Sequence, residues 1–166
     1  MNTTRRTTLL AGGALALVAG LRLFPSAATG ASEAFAVTHT EAEWRALLSP
    51  AAYDVLREAG TEQPFTSALL DEHRPGTFTC AGCANPLFAS ATKFESGTGW
   101  PSFWQPLDGA VGTLQDSSFG MVRTAVFCSQ CGGHLGHVFD DGPKPTGLRY
   151  CMNGVAMTFK PGAAPS

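Results

Sequence analysis

The chain carries few charged residues and no marked excess of either sign. Charged side chains make up 14% of its 166 residues, and 11 basic residues against 13 acidic ones leave a formal net charge of −2. A nucleic-acid-binding surface needs a basic field to meet the phosphates. The charge balance therefore argues against that class, including a zinc-ribbon nucleic-acid protein.

The sequence also lacks extended helical patterning. No long helical period follows Gly60, and no internal repeat occurs beyond a recurring Cys-x-x-Cys pair. Glycine (19 residues) and proline (11 residues) are frequent for this length, which predicts many turns and short strands. With 44% hydrophobic residues, the chain has enough apolar side chains for the core of one domain.

Residues 1–31 are typical of an export signal. Arg5 and Arg6 precede an uncharged, mostly apolar stretch at 7–21, which is too short for a membrane span and suits a signal peptide. Small residues at 26–31 offer a cleavage site. The adjacent arginines predict the twin-arginine route, with a periplasmic or otherwise exported product that keeps no stable membrane anchor after cleavage. An uncleaved anchor and an ordinary signal peptide are the alternatives.

After a linker at 32–39, residues 40–160 are predicted to form the folded domain, and 161–166 a tail. Thr40 and Glu43 have the spacing of a capping box, and Ser49-Pro50 starts a second short helix, for which Gly60 is a natural stop. Strand-like runs then follow at 76–80, 87–88, 93–94, 120–122, 124–128 and 157–159.

Four of the five cysteines form two Cys-x-x-Cys pairs, each directly after a predicted strand: Cys80, Cys83, Cys128 and Cys131. Paired thiolates on two tight turns predict one tetrahedral zinc ion, and four sulfur ligands leave no open position, so the ion is expected to be structural. The competing interpretation in an exported protein is a disulfide across each pair, although each bridge would close almost no loop.

The fifth cysteine, Cys151, lies two residues after Arg149, and His134 and His137 lie upstream. A lone cysteine near a cation or base is the pattern of an activated nucleophile. Arg149 would lower the pKa of the thiol if its side chain faces Cys151, and a side chain that points elsewhere is the alternative. A buried, inert cysteine and core histidines are the alternatives. Trp100 and Phe103 offer an apolar wall for a thioether, or are plain core.

These segments together resemble the B-type peptide-methionine sulfoxide reductases, from about Trp44 to Phe159. The resemblance rests on six motifs in the order of that family: Cys80-x-x-Cys83, Gly99-Trp100-Pro101-Ser102-Phe103, Cys128-x-x-Cys131, His134-Leu135-Gly136-His137-Val138-Phe139, Asp141-Gly142-Pro143-x-Pro145-Thr146-Gly147 and Arg149-Tyr150-Cys151-x-Asn153.

The resemblance implies a mainly β fold, with two antiparallel sheets, short N-terminal helices and a structural zinc site. It implies reduction of methionine-R-sulfoxide, free or in proteins, by Cys151 as the nucleophile. His134, His137, Arg149 and Asn153 would line the active site, and Trp100 would pack on the methyl group of the sulfoxide. The expected partners are oxidised methionine and an external thiol reductant such as a thioredoxin-like protein, and the chain is expected to be a monomer.

Two positions depart from the family pattern. Many members carry a resolving cysteine where this chain has Thr98, and usually a serine where it has Gly154. The sulfenic acid expected on Cys151 therefore has no internal partner outside the zinc thiols. The alternative function is a zinc-stabilised module that binds oxidised or unfolded polypeptide without turnover, which the presence of Cys151, His134 and Asn153 argues against.

Overall fold

The computed structural model describes residues 35–117 and 122–163. Within these ranges the chain is mainly β, with two antiparallel sheets and two short helices, as predicted. The predicted signal peptide at 1–31 lies outside the described residues, as does most of the strand predicted at 120–122. No helix in the described ranges is long and apolar enough to span a membrane.

The two helices begin where the capping patterns predict. Helix α1 spans Glu41–Leu47, and the Thr40 backbone N–H donates to Oε2 of Glu43 at 2.7 Å. Helix α2 spans Pro50–Glu58 and is capped by the Ser49 side chain, which accepts from the Ala52 N–H at 3.2 Å. The stop was expected at Gly60, but α2 ends one residue earlier, because Ala59 already adopts the left-handed conformation (φ 56°).

The strands form one small and one large sheet. Their bounds are β1 Gly76–Cys80, β2 Pro86–Ala89, β3 Lys93–Phe94, β4 Ser102–Phe103, β5 Val111–Asp116, β6 Arg123–Cys128, β7 His134–Phe139, β8 Arg149–Met152 and β9 Met157–Pro161. The small sheet has the order β2-β1-β9 and the large one β3-β4-β8-β7-β6-β5. Strands β4, β5, β7 and β8 were not among the predicted runs, and β9 continues one residue into the predicted tail.

The core is aromatic and joins both sheets. Phe88 of the small sheet stacks on Phe103 of the large one with ring centroids 4.3 Å apart, and Phe78 meets Phe103 edge-on at 4.9 Å. Helix α2 adds Val55 and Leu56, both 2% exposed. Part of the predicted linker also packs on the domain, because the Val37 N–H donates to the Gln130 carbonyl at 2.9 Å and its side chain contacts the core.

Strand β7 contains an irregularity that matters for the site. Its pairing with β6 shifts between Val126↔Gly136 and Phe127↔His134, so Leu135 has no partner of its own. An extra residue in one strand is a β-bulge, and it changes which side chains share a face. The bulge requires glycine at 136, since a Cβ atom there would collide with the Cys151 carbonyl oxygen of the neighbouring strand.

Candidate active site

Cys151 lies in the middle of a row of side chains on the outer face of the large sheet. It pairs with Ser102 of β4 on one side and with His137 of β7 on the other, and His137 in turn pairs with Ala125 of β6. Directly opposed residues of antiparallel strands point to the same face. The structure therefore brings Cys151 and His137 together, although 13 residues separate them in sequence.

A small pocket of about 120 Å³ opens beside this pair. Four of the sequence-predicted site residues line it: Trp100, His137, Cys151 and Asn153. Thr61, Arg123, Gly136 and Phe139 complete the lining. An apolar ring, a thiol and a histidine thus meet in a space that admits the end of one side chain.

His137 is held by an acidic residue that the sequence analysis missed. Its Nε2 atom lies 2.9 Å from Oδ2 of Asp116, and the Arg123 guanidinium donates to the same oxygen at 2.9 Å. Asp116 and Arg123 are paired residues of β5 and β6. A carboxylate on one ring nitrogen fixes the orientation of the imidazole, so that the ring keeps its position beside Cys151.

His134 lies next to His137 on the same face, with ring centroids 5.2 Å apart. The bulge in β7 explains how an odd spacing in a strand gives a shared face. Burial, followed by the influence of His137, lowers the pKa of His134 to about 4. The ring is therefore neutral at neutral pH, and it lines the larger pocket beside the small one.

Arg149 lies on the face of Cys151 but binds mainly elsewhere. Its Nε and Nη2 atoms donate to the two carboxylate oxygens of Asp141, each at 2.8 Å, and its guanidinium lies 4.4 Å from the ring centre of Phe139. The bond to Asp141 is the largest cause of the raised pKa of Arg149, and Cys151 contributes less. The strongest partner of Arg149 is therefore Asp141 and not the Cys151 thiol.

Asn153 is held by structural hydrogen bonds. It is 4% exposed, its Oδ1 accepts from the Glu62 N–H at 2.8 Å, and its Nδ2 donates to the Leu135 carbonyl at 3.0 Å. With both ends of the amide bonded to backbone, Asn153 acts as a positioning residue for the strand that carries Cys151. Its side chain still forms part of the pocket wall.

Glu62 connects several of these groups and was also missed. Its carbonyl accepts from the Trp100 indole N–H at 2.9 Å, and its carboxylate accepts from the Gly154 N–H at 2.6 Å. The same residue thereby holds the aromatic wall and the turn that follows Asn153. No sequence signal marked Glu62, because it lies in an irregular segment, more than ninety positions before Gly154.

Phe103 does not reach the pocket, contrary to expectation. It is the neighbour of Ser102 in β4, and successive residues of a strand point to opposite faces. Because Ser102 pairs with Cys151 on the outer face, Phe103 points inward, where it is 0% exposed and stacks on Phe88. The apolar wall is therefore Trp100 without Phe103.

Thr98 touches the thiol from the loop that carries Trp100. Its Oγ1 lies 3.7 Å from Sγ of Cys151 and 2.8 Å from the hydroxyl of Ser96, which bonds that of Ser102 at 2.7 Å. The three hydroxyls form a chain that ends on Cys151. Position 98 is thus in direct contact with the thiol.

The other four cysteines form one cluster whose sulfur atoms all lie within 4.8 Å of one another. Two separations join different pairs, with Cys80 3.7 Å from Cys131 and Cys83 3.5 Å from Cys128. Both exceed a disulfide bond length of about 2.0 Å. All four cysteines are free thiols, so neither Cys-x-x-Cys is bridged. The cluster joins the end of β1 in the small sheet to the end of β6 in the large one.

This donor set suits a metal ion. Hydrogen bonds with the Cys128 and Cys131 thiols, together with burial, raise the pKa of Cys80, and burial raises that of Cys83. Four thiols this close together cannot all ionise unless a cation neutralises the negative charges of the thiolates. The structure therefore places all four predicted ligands around one possible metal site.

Comparisons with known proteins find related sequences over most of the chain. Residues 48–161 match the model of the SelR domain. A protein of Leptospira interrogans named peptide methionine sulfoxide reductase MsrB is 53% identical over 127 residues, which cover 76% of this chain and 97% of the relative. Proteins of the same name are 54% identical in Agrobacterium fabrum (75% and 93% covered) and 58% identical in Alteromonas mediterranea (72% and 85% covered).

The partly buried, neutral His134 predicts a dependence of stability on pH. Its pKa lies at about 4 in the folded chain against 6.5 for a free histidine, so the unfolded chain takes up this proton first. The contribution to the free energy of unfolding is complete above about pH 6.5 and is lost as the pH falls towards 4. We expect His134→Gln to reduce the fall in melting temperature across that range.

The measurement is the melting temperature at intervals between pH 7 and 4 for the wild type and for His134→Gln. His73→Gln, which changes an exposed histidine, is the matched control and should follow the wild-type curve. Parallel curves for all three proteins would contradict the assignment of the pH dependence to His134.

Proposed function

The chain belongs to the SelR domain family, and from this premise we propose that it reduces methionine-R-sulfoxide, free or in a polypeptide, to methionine. As a member whose relatives are named peptide methionine sulfoxide reductases, it is an oxidoreductase of that class. The observation that supports the specific proposal is the cross-strand pair of Cys151 and His137 beside Trp100 in one pocket.

The residues suit the following reaction. The sulfoxide methyl group packs on the Trp100 ring, since sulfur and its substituents make favourable contacts with aromatic rings. The sulfur of Cys151 attacks the sulfoxide sulfur, and His137, oriented by Asp116, supplies the proton that the oxygen needs to leave. The S–O bond of the sulfoxide breaks as the S–S bond forms, and the protonated oxygen leaves as water. A second water molecule then attacks the sulfur of Cys151, and the S–S bond breaks with its electron pair on methionine. The sulfoxide sulfur thus gains two electrons and Cys151 loses two, so the products are methionine and a sulfenic acid on Cys151.

The alternative, a module that binds oxidised polypeptide without turnover, would need no thiol in its pocket. Cys151 is only partly buried, lines the pocket and faces His137. A reactive sulfur in that place favours the enzyme over the binding module.

We expect Cys151→Ser to abolish reduction of methionine-R-sulfoxide, because a serine hydroxyl is far less nucleophilic than a thiolate at neutral pH. His137→Ala should lower kcat by about 10²- to 10⁴-fold, as loss of a general acid does. The assay is release of methionine from each sulfoxide epimer with dithiothreitol as the reductant, and circular dichroism of each variant checks the fold. Turnover by Cys151→Ser, or wild-type activity on the S epimer alone, would refute the proposal.

We infer that the cysteine cluster holds one zinc ion per chain. A tetrahedron with Zn–S bonds of about 2.3 Å has edges of about 3.8 Å, close to the 3.5 Å between the Cys83 and Cys128 sulfurs and the 3.7 Å between those of Cys80 and Cys131. An ion there would stabilise the joined ends of β1 and β6, and with four thiolates bound it would have no position left for a substrate. Its role would be structural.

Loss of one ligand should therefore release the ion and destabilise the fold. We expect Cys83→Ser to lower the metal content from one zinc per chain to near zero. It should also lower the melting temperature by about ten degrees or more, because the free energy of metal binding here is part of the free energy of folding. Elemental analysis and thermal melting measure both effects. Cys151→Ser removes a thiol outside the cluster and is the control, which should keep its zinc. A wild-type protein that melts at the same temperature without bound metal as it does with zinc would contradict the inference.

Regeneration of Cys151 needs an external thiol, which we propose comes from a small thiol or a thioredoxin-like protein. Two thiols of the donor reduce the sulfenic acid, forming their own disulfide and releasing water. What supports this is Thr98, which contacts Cys151 but cannot form a disulfide with it. The remaining cysteines belong to the cluster at the far end of β6.

We expect one equivalent of substrate without reductant to leave a sulfenic acid on Cys151, detected by mass spectrometry as a dimedone adduct. In Thr98→Cys, a sulfur at the contact position should instead form a disulfide with Cys151 and abolish most of the adduct. Thr113→Cys, on an exposed position of β5, is the matched control and should retain the adduct. Linkage of Cys151 to a cluster cysteine in the wild type would show that the cluster thiols act as resolvers.

We also propose that the chain is exported by the twin-arginine route. What supports this is the Arg5-Arg6 pair ahead of the short apolar stretch. A route that carries folded proteins would let the metal bind in the reducing cytoplasm. Replacing both arginines by lysine should leave an uncleaved precursor in the cytoplasm, detected by cell fractionation and immunoblotting. Delivery of the mature form in a strain without that translocase would contradict the proposal.

A further inference from the structure

A second, larger pocket continues from the candidate active site along the outer face of the large sheet. It has a volume of about 780 Å³ and shares Thr61, Arg123 and His137 with the small pocket. The reaction proposed above uses only the small pocket. The larger one, which we call the apolar groove, is defined by the side chains of Phe35, Leu114, Ala125 and Phe127.

The walls of the apolar groove are apolar side chains that the fold leaves accessible. Leu114 is 67% exposed although it is a large aliphatic residue, and Phe35 is 37% exposed. Phe35 packs edge-on against Phe127 with ring centroids 6.0 Å apart, which makes one continuous wall. An exposed apolar patch beside a functional site marks a surface for a ligand or a partner.

The polar groups around the groove do not favour a charged ligand. Asp116 and Arg123 bind each other at 2.9 Å, so their charges offset one another at the end that meets the active site. His134, also in the lining, is neutral at neutral pH. Glu58 is the remaining charged residue of the lining. An apolar side chain is therefore the group that this surface accommodates best.

The strand pairing sets the distance from the thiol to the groove. Cys151 pairs with His137, His137 with Ala125 and Ala125 with Leu114, so the four side chains stand in one row across β8, β7, β6 and β5. Neighbouring strands lie about 4.8 Å apart, so Leu114 lies about 14 Å from Cys151. An extended peptide advances about 3.3 Å per residue and covers this distance in about four residues.

We propose that the apolar groove binds the polypeptide substrate itself, accepting an apolar side chain about four residues from the methionine sulfoxide held at Cys151. The occupant is an extended segment of the oxidised chain, since the small pocket and the groove form one continuous track. Free methionine sulfoxide fills only the first part of that track. This inference rests on the proposed function and adds a specificity for sequence that the reaction alone does not require.

The test compares peptides that differ at one position. Each peptide contains one methionine-R-sulfoxide and either phenylalanine or serine four residues before it or four residues after it. The ratio of kcat/KM for the phenylalanine and serine peptides is measured with the full-length wild-type chain. We expect a ratio of about ten for one of the two placements, because burial of part of an aromatic ring is offset by the cost of ordering the peptide.

Leu114→Ser removes the most exposed apolar side chain of the groove and should bring that ratio close to one. The ratio is internal to each protein, so a general loss of activity cancels from it. Leu47→Ser is the matched control, since Leu47 is 60% exposed on α1 and lies outside the groove; it should keep the wild-type ratio.

Two results would overturn the inference. One is a wild-type ratio near one for both placements, and the other is a wild-type preference that Leu114→Ser retains. Failure of the proposed function is a separate outcome, because a chain that reduces neither the peptides nor N-acetyl-methionine-R-sulfoxide is no reductase at all. Activity on N-acetyl-methionine-R-sulfoxide without any preference between the peptides would therefore refute the proposal for the apolar groove but not the proposed function.

Discussion

The position of Cys151 depends on the pairing of β8 with β7 on one side and with β4 on the other. Side chains alternate between the faces of a sheet, so a slip of one residue in this register would turn Cys151 into the core and Met152 out of it. Met152 is 0% exposed, and its N–H donates to the Pro101 carbonyl at 2.9 Å. Burial of the apolar face therefore fixes the register of β8, and this register places Cys151 on the opposite face. Core packing decides where the thiol stands, although no core residue takes part in the chemistry.

The cysteine cluster imposes a second constraint at the other end of the large sheet. It joins β1 to β6, and β6 carries Arg123 and Ala125 on the face of the candidate active site. Four sulfurs this close are compatible only when protons or a cation offset their charge. A cation would neutralise all four thiolates at once. Protonation would instead leave four thiols in the cluster, and a thiol is only a weak hydrogen-bond donor and acceptor. The cysteine cluster thus fixes the end of β6, while backbone hydrogen bonds to β5 and β7 fix the middle of the strand.

The helix caps and the metal-binding motif could be predicted from the sequence, but the register in which the strands pair could not. Both helix starts and the cysteine cluster were predicted because the interacting residues lie three apart or repeat a fixed motif. Strands β7 and β8 were missed as strands because their outward positions carry His137, Arg149 and Cys151, which obscure the alternation of apolar residues. Asp116 has no local signal, because its contact with His137 exists only once β5, β6 and β7 pair in the observed register. Phe103 was misassigned for the same reason, since its neighbour Ser102 takes the outward position.

Glu62 shows how an irregular segment can complete a site that the strands only begin. Its carboxylate accepts from the N–H groups of Gly154 and Val155, and its backbone binds the Trp100 indole and the Asn153 amide. A partly buried carboxylate bonded to backbone N–H groups is well compensated, so the segment keeps one position. Gly154 is part of this arrangement, since a Cβ atom there would collide with the Ser67 hydroxyl and lie 3.3 Å from Oε2 of Glu62. The departure from serine at 154 therefore makes room for Ser67 beside the turn. Gly154, one of the two residues that differ from the family pattern, and Glu62, which holds the aromatic wall, therefore belong to the same packing arrangement.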